Sequence, residues 1–179
     1  MMEKALPQAP RRPAVFLDRD GVLNVDTGYP HRFADMQWVD GAIEAVRLAH
    51  QAGFLVFVVT NQSGVARGLY EEAAVTGLHR QMAAHFARQG AVIDDFRYCP
   101  HLPDAAVPRY RRSCDCRKPG PGMILDLLAA WPVDPARSFL VGDRESDMAA
   151  ARAAGIAGYL YGGGTLSSFI APLLQRYGA

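Results

Sequence analysis

Short, wholly apolar runs are the feature of this chain that most constrains its fold. Val15 to Leu17 and Leu55 to Val59 carry no polar side chain, and both runs are of strand length. A strand that is covered on both faces has this pattern, because no side of it meets solvent. Longer amphipathic stretches separate the runs. This alternation predicts an α/β fold with a mainly parallel central sheet between helical layers, a Rossmann-like three-layer arrangement.

The remaining elements are predicted from periodicity and from turn residues. Asp40 is a candidate cap for a helix over about residues 41–52, which Gly53 would end. Further helices are predicted over residues 71–89, 123–130, 147–154 and 166–177, and further strands over residues 93–98, 139–141 and 158–161. Residues 24–39 and 99–116 show little periodicity and are predicted to be loops.

Length and charge limit the classes of function. With 179 residues the chain is expected to form one domain over residues 14–179, after a flexible leader over residues 1–13. A net charge of +1 provides no basic field for nucleic acid. No apolar run approaches the ~20 residues that span a bilayer, and the leader lacks a signal-type apolar core. We therefore expect a cytoplasmic monomer with no membrane or nucleic-acid partner.

Polar side chains follow three of the predicted strands. Asp18 and Asp20 come after the first strand, Thr60 after the second and Asp143 after a later one. A single aspartate after a strand is commonly a turn former or a helix cap. The carboxyl ends of parallel strands meet at one edge of the sheet, where open α/β sheets bind ligands. Three such strand ends together favour a binding or catalytic site.

Phosphoryl transfer requires residues of these types. A phosphate monoester repels a carboxylate nucleophile unless a cation neutralises the charge, and clustered carboxylates form the oxygen-rich site that Mg²⁺ prefers. A second carboxylic group can protonate the leaving alkoxide and later deprotonate water. A hydroxyl and an ammonium group complete the electrostatic clamp, for which Thr60 and Lys118 are the candidates.

Four stretches resemble, in order, the motifs of the haloacid dehalogenase-like (HAD-like) phosphatases. They are residues 18–21 (DRDG), 60–68 (TNQSGVARG), 117–119 (RKP) and 142–147 (GDRESD), and the resemblance covers nearly the whole chain from Val15 to Gly158. Within that superfamily the chain is similar to the group that contains D,D-heptose 1,7-bisphosphate phosphatase and histidinol phosphatase.

The resemblance implies a role for each residue of the motifs. Asp18 would be the nucleophile and Asp20 the general acid and base. The resemblance also implies a Mg²⁺ ion held by the Asp18 carboxylate, the Asp20 backbone carbonyl and Asp143. Thr60 and Lys118 would bind the phosphoryl group, and Asp147 would support the site from behind.

The resemblance also implies an open substrate side. Many relatives cover the site with an inserted cap domain, but the gaps between the motifs leave no room for a large one. The residues implied to line the substrate side are Asp26, Thr27, Gly28, Tyr29, Asn61, Gln62, Ser63 and Arg117. The stretch from Gly28 to Pro30 is equally compatible with an ordinary turn.

All three cysteines lie in the loop over residues 99–116. Cys99 and His101 form a Cys-x-His pair, and Cys114 and Cys116 form a Cys-x-Cys pair twelve residues later. Four such ligands suit tetrahedral, structural Zn²⁺, whereas isolated cytosolic cysteines are usually reduced and buried. The clustering favours zinc, and the zinc-binding loop of the group that the chain resembles has the same two pairs.

The function implied by the resemblance is Mg²⁺-dependent removal of the C7 phosphate of D-glycero-D-manno-heptose 1,7-bisphosphate through an aspartyl-phosphate intermediate. Histidinol-phosphate phosphatase activity is the nearest alternative. A nucleic-acid 3'-phosphatase is disfavoured by the near-neutral charge and the absence of a kinase P-loop. A phospho-accepting domain or a zinc-held interaction domain would not need a second carboxylate beside Asp18, such as that of Asp20.

Overall fold

A computed structural model describes residues 10–178 of the chain. Within these residues the strands are β1 (Ala14–Leu17), β2 (Leu55–Asn61), β3 (Asp95–Cys99), β4 (Phe139–Gly142) and β5 (Ala157–Leu160). The helices are α1 (Ala42–Gln51), α2 (Ser63–Ala66), α3 (Glu72–Ala87), α4 (Gly122–Ala130), α5 (Glu145–Ala153) and α6 (Leu166–Gly178). The order along the chain confirms the predicted α/β alternation.

The five strands form one parallel sheet in the order β3-β2-β1-β4-β5. Strand β1 lies at its centre, with Phe16 paired to Phe57 of β2 and to Leu140 of β4. All four residues of β1 are buried, as their apolar side chains predict. The carboxyl ends of β1, β2 and β4 therefore meet at the middle of one sheet edge.

Two apolar layers cover the sheet. On one face Val15 and Leu17 pack in a cluster with residues of α1, α3 and α6. On the other face Phe16 and Phe57 pack with residues of α4 and α5. Together with the sheet these layers form the predicted three-layer fold.

The loop between β1 and α1 differs from the prediction in one respect. Asp40 does not cap α1, because Gly41 occupies the cap position with φ 72° and no side chain bonds the helix start. The Asp40 carboxylate instead accepts a hydrogen bond from the Thr165 hydroxyl at 2.5 Å, which ties this loop to the start of α6. The predicted end of the helix is confirmed, since Gly53 has φ 84° directly after it.

The loop over residues 99–116 lies between β3 and α4 and contains one short 3₁₀ turn, Pro108–Tyr110. The segments between the motifs are filled by the helices and loops already named, so no large cap domain is present among residues 10–178.

The predicted leader falls largely on residues 1–9, which lie outside the described residues. Arg12, near its end, pairs with the backbone of Pro132 and Asp134 at 2.8 Å. In the part of the chain that the structure describes, no helix combines the length and the apolar character that crossing a membrane requires.

Candidate active site

The carboxyl ends of β1 and β4 bring two carboxylates to the middle of the sheet edge. The Asp18 amide donates to the Val141 carbonyl at 3.0 Å, which extends the β1–β4 ladder up to the candidate nucleophile. Gly21 turns the chain back with φ 88°, and a Cβ atom at Gly21 would lie 2.2 Å from Asp143 Oδ2. Only glycine fits this position, because the loop must turn in the left-handed region while touching Asp143.

Lys118 is the central cation of the site, and only 4% of it is exposed. Its ammonium nitrogen lies 2.9 Å from Asp18 Oδ1 and 2.5 Å from Asp147 Oδ1, and it donates to the Val59 carbonyl at 2.8 Å. Burial lowers the pKa of Lys118, but the two carboxylates outweigh it and the net shift is upward. Lys118 therefore remains a cation next to the candidate nucleophile.

Asn61 holds the backbone of Lys118 in place. The Asn61 side-chain oxygen accepts from the Lys118 amide and its nitrogen donates to the Lys118 carbonyl, both at 3.0 Å. The last residue of β2 thus fixes a lysine that is distant in sequence. Asn61 also lines the cavity described below, so it lies on the predicted substrate side.

Burial raises the pKa of the Asp18 carboxyl to about 7, assisted by Asp147 and opposed by Lys118. Burial also raises the pKa of Asp143, against the nearby Arg144. These upward shifts indicate a site whose carboxylates need more positive charge than the protein supplies. A divalent cation would provide it.

The donor set fits Mg²⁺. Ligand atoms of Asp18, Asp143 and Asp147 all lie within 4.8 Å of one another. Asp143 Oδ1 is buried and has no hydrogen-bond partner among the described residues, although buried carboxylate oxygens are normally paired. Hard carboxylate oxygens are the ligands that Mg²⁺ selects. Asp18 and Asp143 would hold the ion, whereas both oxygens of Asp147 are engaged, one by Lys118 and the other by the Arg144 amide.

Asp20 accepts four hydrogen bonds from three side chains. Arg19 Nε donates to Oδ1 at 3.1 Å and Arg19 Nη2 donates to Oδ2 at 2.9 Å. The Asn24 amide donates to Oδ1 at 2.9 Å, and the Gln62 amide donates to Oδ2 at 3.0 Å. The candidate acid and base is therefore held in a single orientation at the cavity floor.

Gln62 was predicted to lie on the substrate side, but it does not line the cavity. It is 2% exposed, and its amide bridges Asp20 and the Thr60 hydroxyl, the latter at 2.9 Å. Its carbonyl oxygen accepts from Tyr70 at 3.0 Å. Gln62 therefore orders the floor of the site from behind.

A cavity of about 540 Å³ opens above these residues. Its lining includes Asp18, Asp20, Asp26, Gly28, Tyr29, Thr60, Asn61, Ser63, Arg117, Lys118 and Arg144. Most residues predicted from sequence are thus brought together, whereas Thr27 does not line the cavity.

Two loops and the lining residues Arg117 and Arg144 form the cavity mouth, with Arg67 beside it. Tyr29 is a non-glycine residue with φ 54°, and its ring is exposed at the mouth, where the Arg67 guanidinium lies 6.0 Å from the ring centroid. Arg144 reaches across to Asp26 and donates to its Oδ2 at 2.9 Å. On another side, the Arg117 guanidinium donates to the His101 carbonyl at 3.3 Å. The mouth therefore presents guanidinium groups, of which Arg144 is paired with Asp26.

The four predicted zinc ligands converge at the base of the loop over residues 99–116. The sulfur atoms of Cys99, Cys114 and Cys116 lie 3.0–3.5 Å apart, too far for disulfide bonds, and His101 Nδ1 lies 3.3 Å from the Cys116 sulfur. In a tetrahedral site with Zn–S bonds of about 2.3 Å, the ligand atoms lie about 3.7 Å apart. The cluster therefore fits Zn²⁺.

Sequence reasoning missed three contributors to the site. Arg19 stands between the two motif aspartates and bonds Asp20, Tyr70 bonds Gln62 from the far side, and Arg144 bridges the mouth. The signal for Arg19 was available, since a charged residue at the end of a buried strand needs a partner. Tyr70 and Arg144 depend on packing that the sequence pattern does not reveal.

Curated relatives match almost the entire chain. A protein from Rhodopseudomonas palustris named D-glycero-beta-D-manno-heptose-1,7-bisphosphate 7-phosphatase is 50% identical over 166 residues, which is 93% of this chain and 92% of that protein. This chain belongs to the HAD-like phosphatases. A relative of the same name from Photorhabdus laumondii is 47% identical over 80% of this chain and 77% of its own. The family model described as HAD-hydrolase-like matches residues 115–169.

Solved structures of the HAD-like phosphatase family share the fold. The D,D-heptose 1,7-bisphosphate phosphatase from B. bronchiseptica, complexed with magnesium and phosphate, superposes with a TM-score of 0.75 at 36% identity. The match covers 89% of this chain and 86% of that one. The chain is therefore a phosphatase, and magnesium accompanies phosphate in a related structure.

Proposed function

We propose that this phosphatase removes the C7 phosphate of D-glycero-β-D-manno-heptose 1,7-bisphosphate. The observation that carries the proposal is the convergence of Asp18, Asp20 and Lys118 on the floor of one cavity. Relatives of 45–50% identity are named for this reaction, which supports the choice of substrate and of anomer.

The reaction proceeds in two displacements. An Asp18 carboxylate oxygen attacks phosphorus, the bond from phosphorus to the C7 oxygen breaks, and the leaving alkoxide takes a proton from Asp20. Water then attacks the phosphorus of the aspartyl phosphate and gives a proton to Asp20. This hydrolysis releases phosphate and restores Asp18. Lys118 and Thr60 bind the transferring oxygens throughout.

Mg²⁺ held by Asp18, Asp143 and the Asp20 carbonyl would neutralise charge on the phosphoryl group. Asp147 keeps Lys118 in place, because their side chains pair in the buried layer behind the site. The Lys118 ammonium group and the Mg²⁺ ion would together offset the repulsion between the Asp18 carboxylate and the phosphate.

The guanidinium groups at the mouth favour a bisphosphate. Arg117 and Arg144 line the cavity, while Asp26 is paired to Arg144. The second phosphate of a heptose bisphosphate would meet these guanidinium groups, which bind phosphate well. Histidinol phosphate carries an amino group and an imidazole instead, and its amino group would be repelled there.

We further propose that Zn²⁺ occupies the cluster of Cys99, His101, Cys114 and Cys116 as a structural ion. Residue 116 leads directly into Arg117 and Lys118, so the ion would fix the segment that binds phosphate. We also propose a cytoplasmic monomer that binds no nucleic acid, in keeping with the net charge of +1.

A substrate panel tests the proposal. Phosphate release is measured with both anomers of the heptose bisphosphate, with histidinol phosphate and with a 3'-phosphorylated oligonucleotide, in the presence of Mg²⁺. We expect the highest kcat/KM for the β-bisphosphate, with removal at C7 verified by ³¹P NMR of the product. A higher value for histidinol phosphate or for the oligonucleotide would refute the substrate assignment.

A further inference from the structure

Arg19 is the largest fully buried side chain among the described residues, with 0% of its surface exposed. It stands between Asp18 and Asp20, at the point where β1 ends. Its guanidinium lies against the carboxylate of Asp20 with both Nε and Nη2, at 3.1 and 2.9 Å. Burying a charged group is costly unless it is paired, so this geometry needs a reason.

The planar fork of Arg19 matches both oxygens of the carboxylate, which no other side chain type can do. Nη2 makes a second bond, to the Pro30 carbonyl at 2.9 Å. Pro30 follows Tyr29 in the loop at the cavity mouth. A single buried residue therefore connects the candidate proton donor with the loop that faces the substrate.

Asn24 and Gln62 complete the arrangement around Asp20. Each donates one bond to a different carboxylate oxygen, so Asp20 cannot rotate without breaking two or more contacts. Arg19 contributes two of these four bonds and the only charge among them.

We infer that Arg19 is a positioning residue that holds the Asp20 carboxylate in the orientation required for proton transfer. The inference rests on the proposed function, because it assumes that Asp20 is the acid and base. Arg19 itself does not contact the substrate, since its guanidinium is enclosed behind Asp20 and under Pro30.

The test separates the two displacements by the choice of leaving group. p-Nitrophenolate leaves without protonation, whereas a sugar alkoxide requires it, but hydrolysis of the aspartyl phosphate requires the base with both substrates. Arg19→Met should therefore form the intermediate from p-nitrophenyl phosphate and hydrolyse it slowly. A burst of p-nitrophenolate of about one equivalent per enzyme should precede slow turnover.

On the heptose bisphosphate we expect kcat of Arg19→Met to fall by about 100-fold or more, with KM nearly unchanged. Arg19→Lys keeps the buried charge with a single point donor, and should retain more activity than the Met variant. If Arg19→Met does not fold, the same measurements on Arg19→Lys test the inference. Arg137→Met is the control, since Arg137 is a partly buried arginine that bonds two carbonyls, those of Tyr177 and Gly178, away from the site.

Asp20→Asn distinguishes the inference from the proposed function. If Asp20→Asn keeps wild-type activity on the sugar, the proposed role of Asp20 is wrong. If Asp20→Asn is impaired while the folded Arg19 variants keep wild-type kcat, the inference about Arg19 alone is overturned. Equal slowing of both displacements without a burst would also overturn it, because a purely structural role predicts that result.

Discussion

Replacing Gly21 with alanine should disable the magnesium site through a single added methyl group. Gly21 has φ 88°, a conformation that side chains with a Cβ atom rarely adopt. The new Cβ would lie 2.2 Å from Asp143 Oδ2 and 2.6 Å from its Cγ, well inside van der Waals contact. Asp143 must therefore move by about 1 Å or more to reach an ordinary contact distance.

Gly53→Ala provides the baseline for the backbone strain. Gly53 has φ 84°, nearly the same conformation, and its added Cβ would meet no atom within 4 Å. Both variants should lose about 1–2 kcal/mol of unfolding free energy from the left-handed backbone. Gly21→Ala should lose a further ~1–3 kcal/mol from the forced contact. The difference between the two variants isolates the effect on Asp143.

The decisive assay is the Mg²⁺ concentration that gives half-maximal phosphate release. Metal sites tolerate displacements of only about 0.2 Å, so this concentration should rise by about tenfold or more in Gly21→Ala. It should stay at the wild-type value in Gly53→Ala. Urea unfolding of both proteins supplies the stability values. Wild-type Mg²⁺ dependence in folded Gly21→Ala would refute the assignment of Asp143 as a ligand.

Three further perturbations have defined outcomes. Lys118→Met should lower kcat by about 100-fold or more. It should also lower the free energy of unfolding in urea by about 3–5 kcal/mol, because Asp18 and Asp147 would be left unpaired. Unchanged activity would contradict the role of Lys118 in binding the phosphoryl group. In Mg²⁺-free protein the Asp18 carboxyl has its pKa raised to about 7, so the folded state binds the extra proton between about pH 4 and pH 7. The stability of the wild-type protein relative to Asp18→Asn should then decrease by on the order of a few kcal/mol as the pH rises through this window. Thermal melts that show an increase would refute the raised pKa of Asp18. Cys114→Ser should reduce bound zinc, measured by atomic emission, and lower the melting temperature under Mg²⁺-replete conditions; a variant without zinc but with wild-type melting and activity would exclude a structural ion.

The centre of the sheet was predictable from the sequence because its strands β1, β2 and β4 are short and almost wholly apolar. Val15 to Leu17 is buried on both faces, which is the condition that produces such a run. The short helix Ser63–Ala66 was not predicted, since four residues are too few to show a period. Asp40 was misassigned because the rule for helix caps is local, whereas its hydrogen-bond partner, Thr165, lies 125 residues away.

The floor of the site was predictable in composition but not in its contacts. Asp18, Thr60, Lys118 and Asp143 were identified from strand ends and motif spacing, and the structure brings the first three together on one cavity. The partner of each polar group depends on rotamers and on distant loops. Gln62 was therefore assigned to the substrate side, although it turns inward to bond Asp20.

The ligand cluster in the loop over residues 99–116 was predictable because its spacing is a direct chemical signal. Two pairs of ligands separated by a loop require only that the chain fold back once. The link from Arg19 to Pro30 has no such signature, since it joins a strand end to a backbone carbonyl in an irregular loop.

Identification of the phosphorylated residue tests the central claim most directly. Asp20→Asn protein, which lacks the base for the second displacement, is mixed with Mg²⁺ and p-nitrophenyl phosphate, whose leaving group needs no proton. The mixture is quenched in acid, reduced with borohydride and digested for mass spectrometry. Reduction converts an aspartyl phosphate to homoserine. The account predicts homoserine at position 18 alone, in substrate-dependent yield. Homoserine at Asp143 or Asp147, or full turnover by Asp18→Asn without a labelled residue, would contradict it.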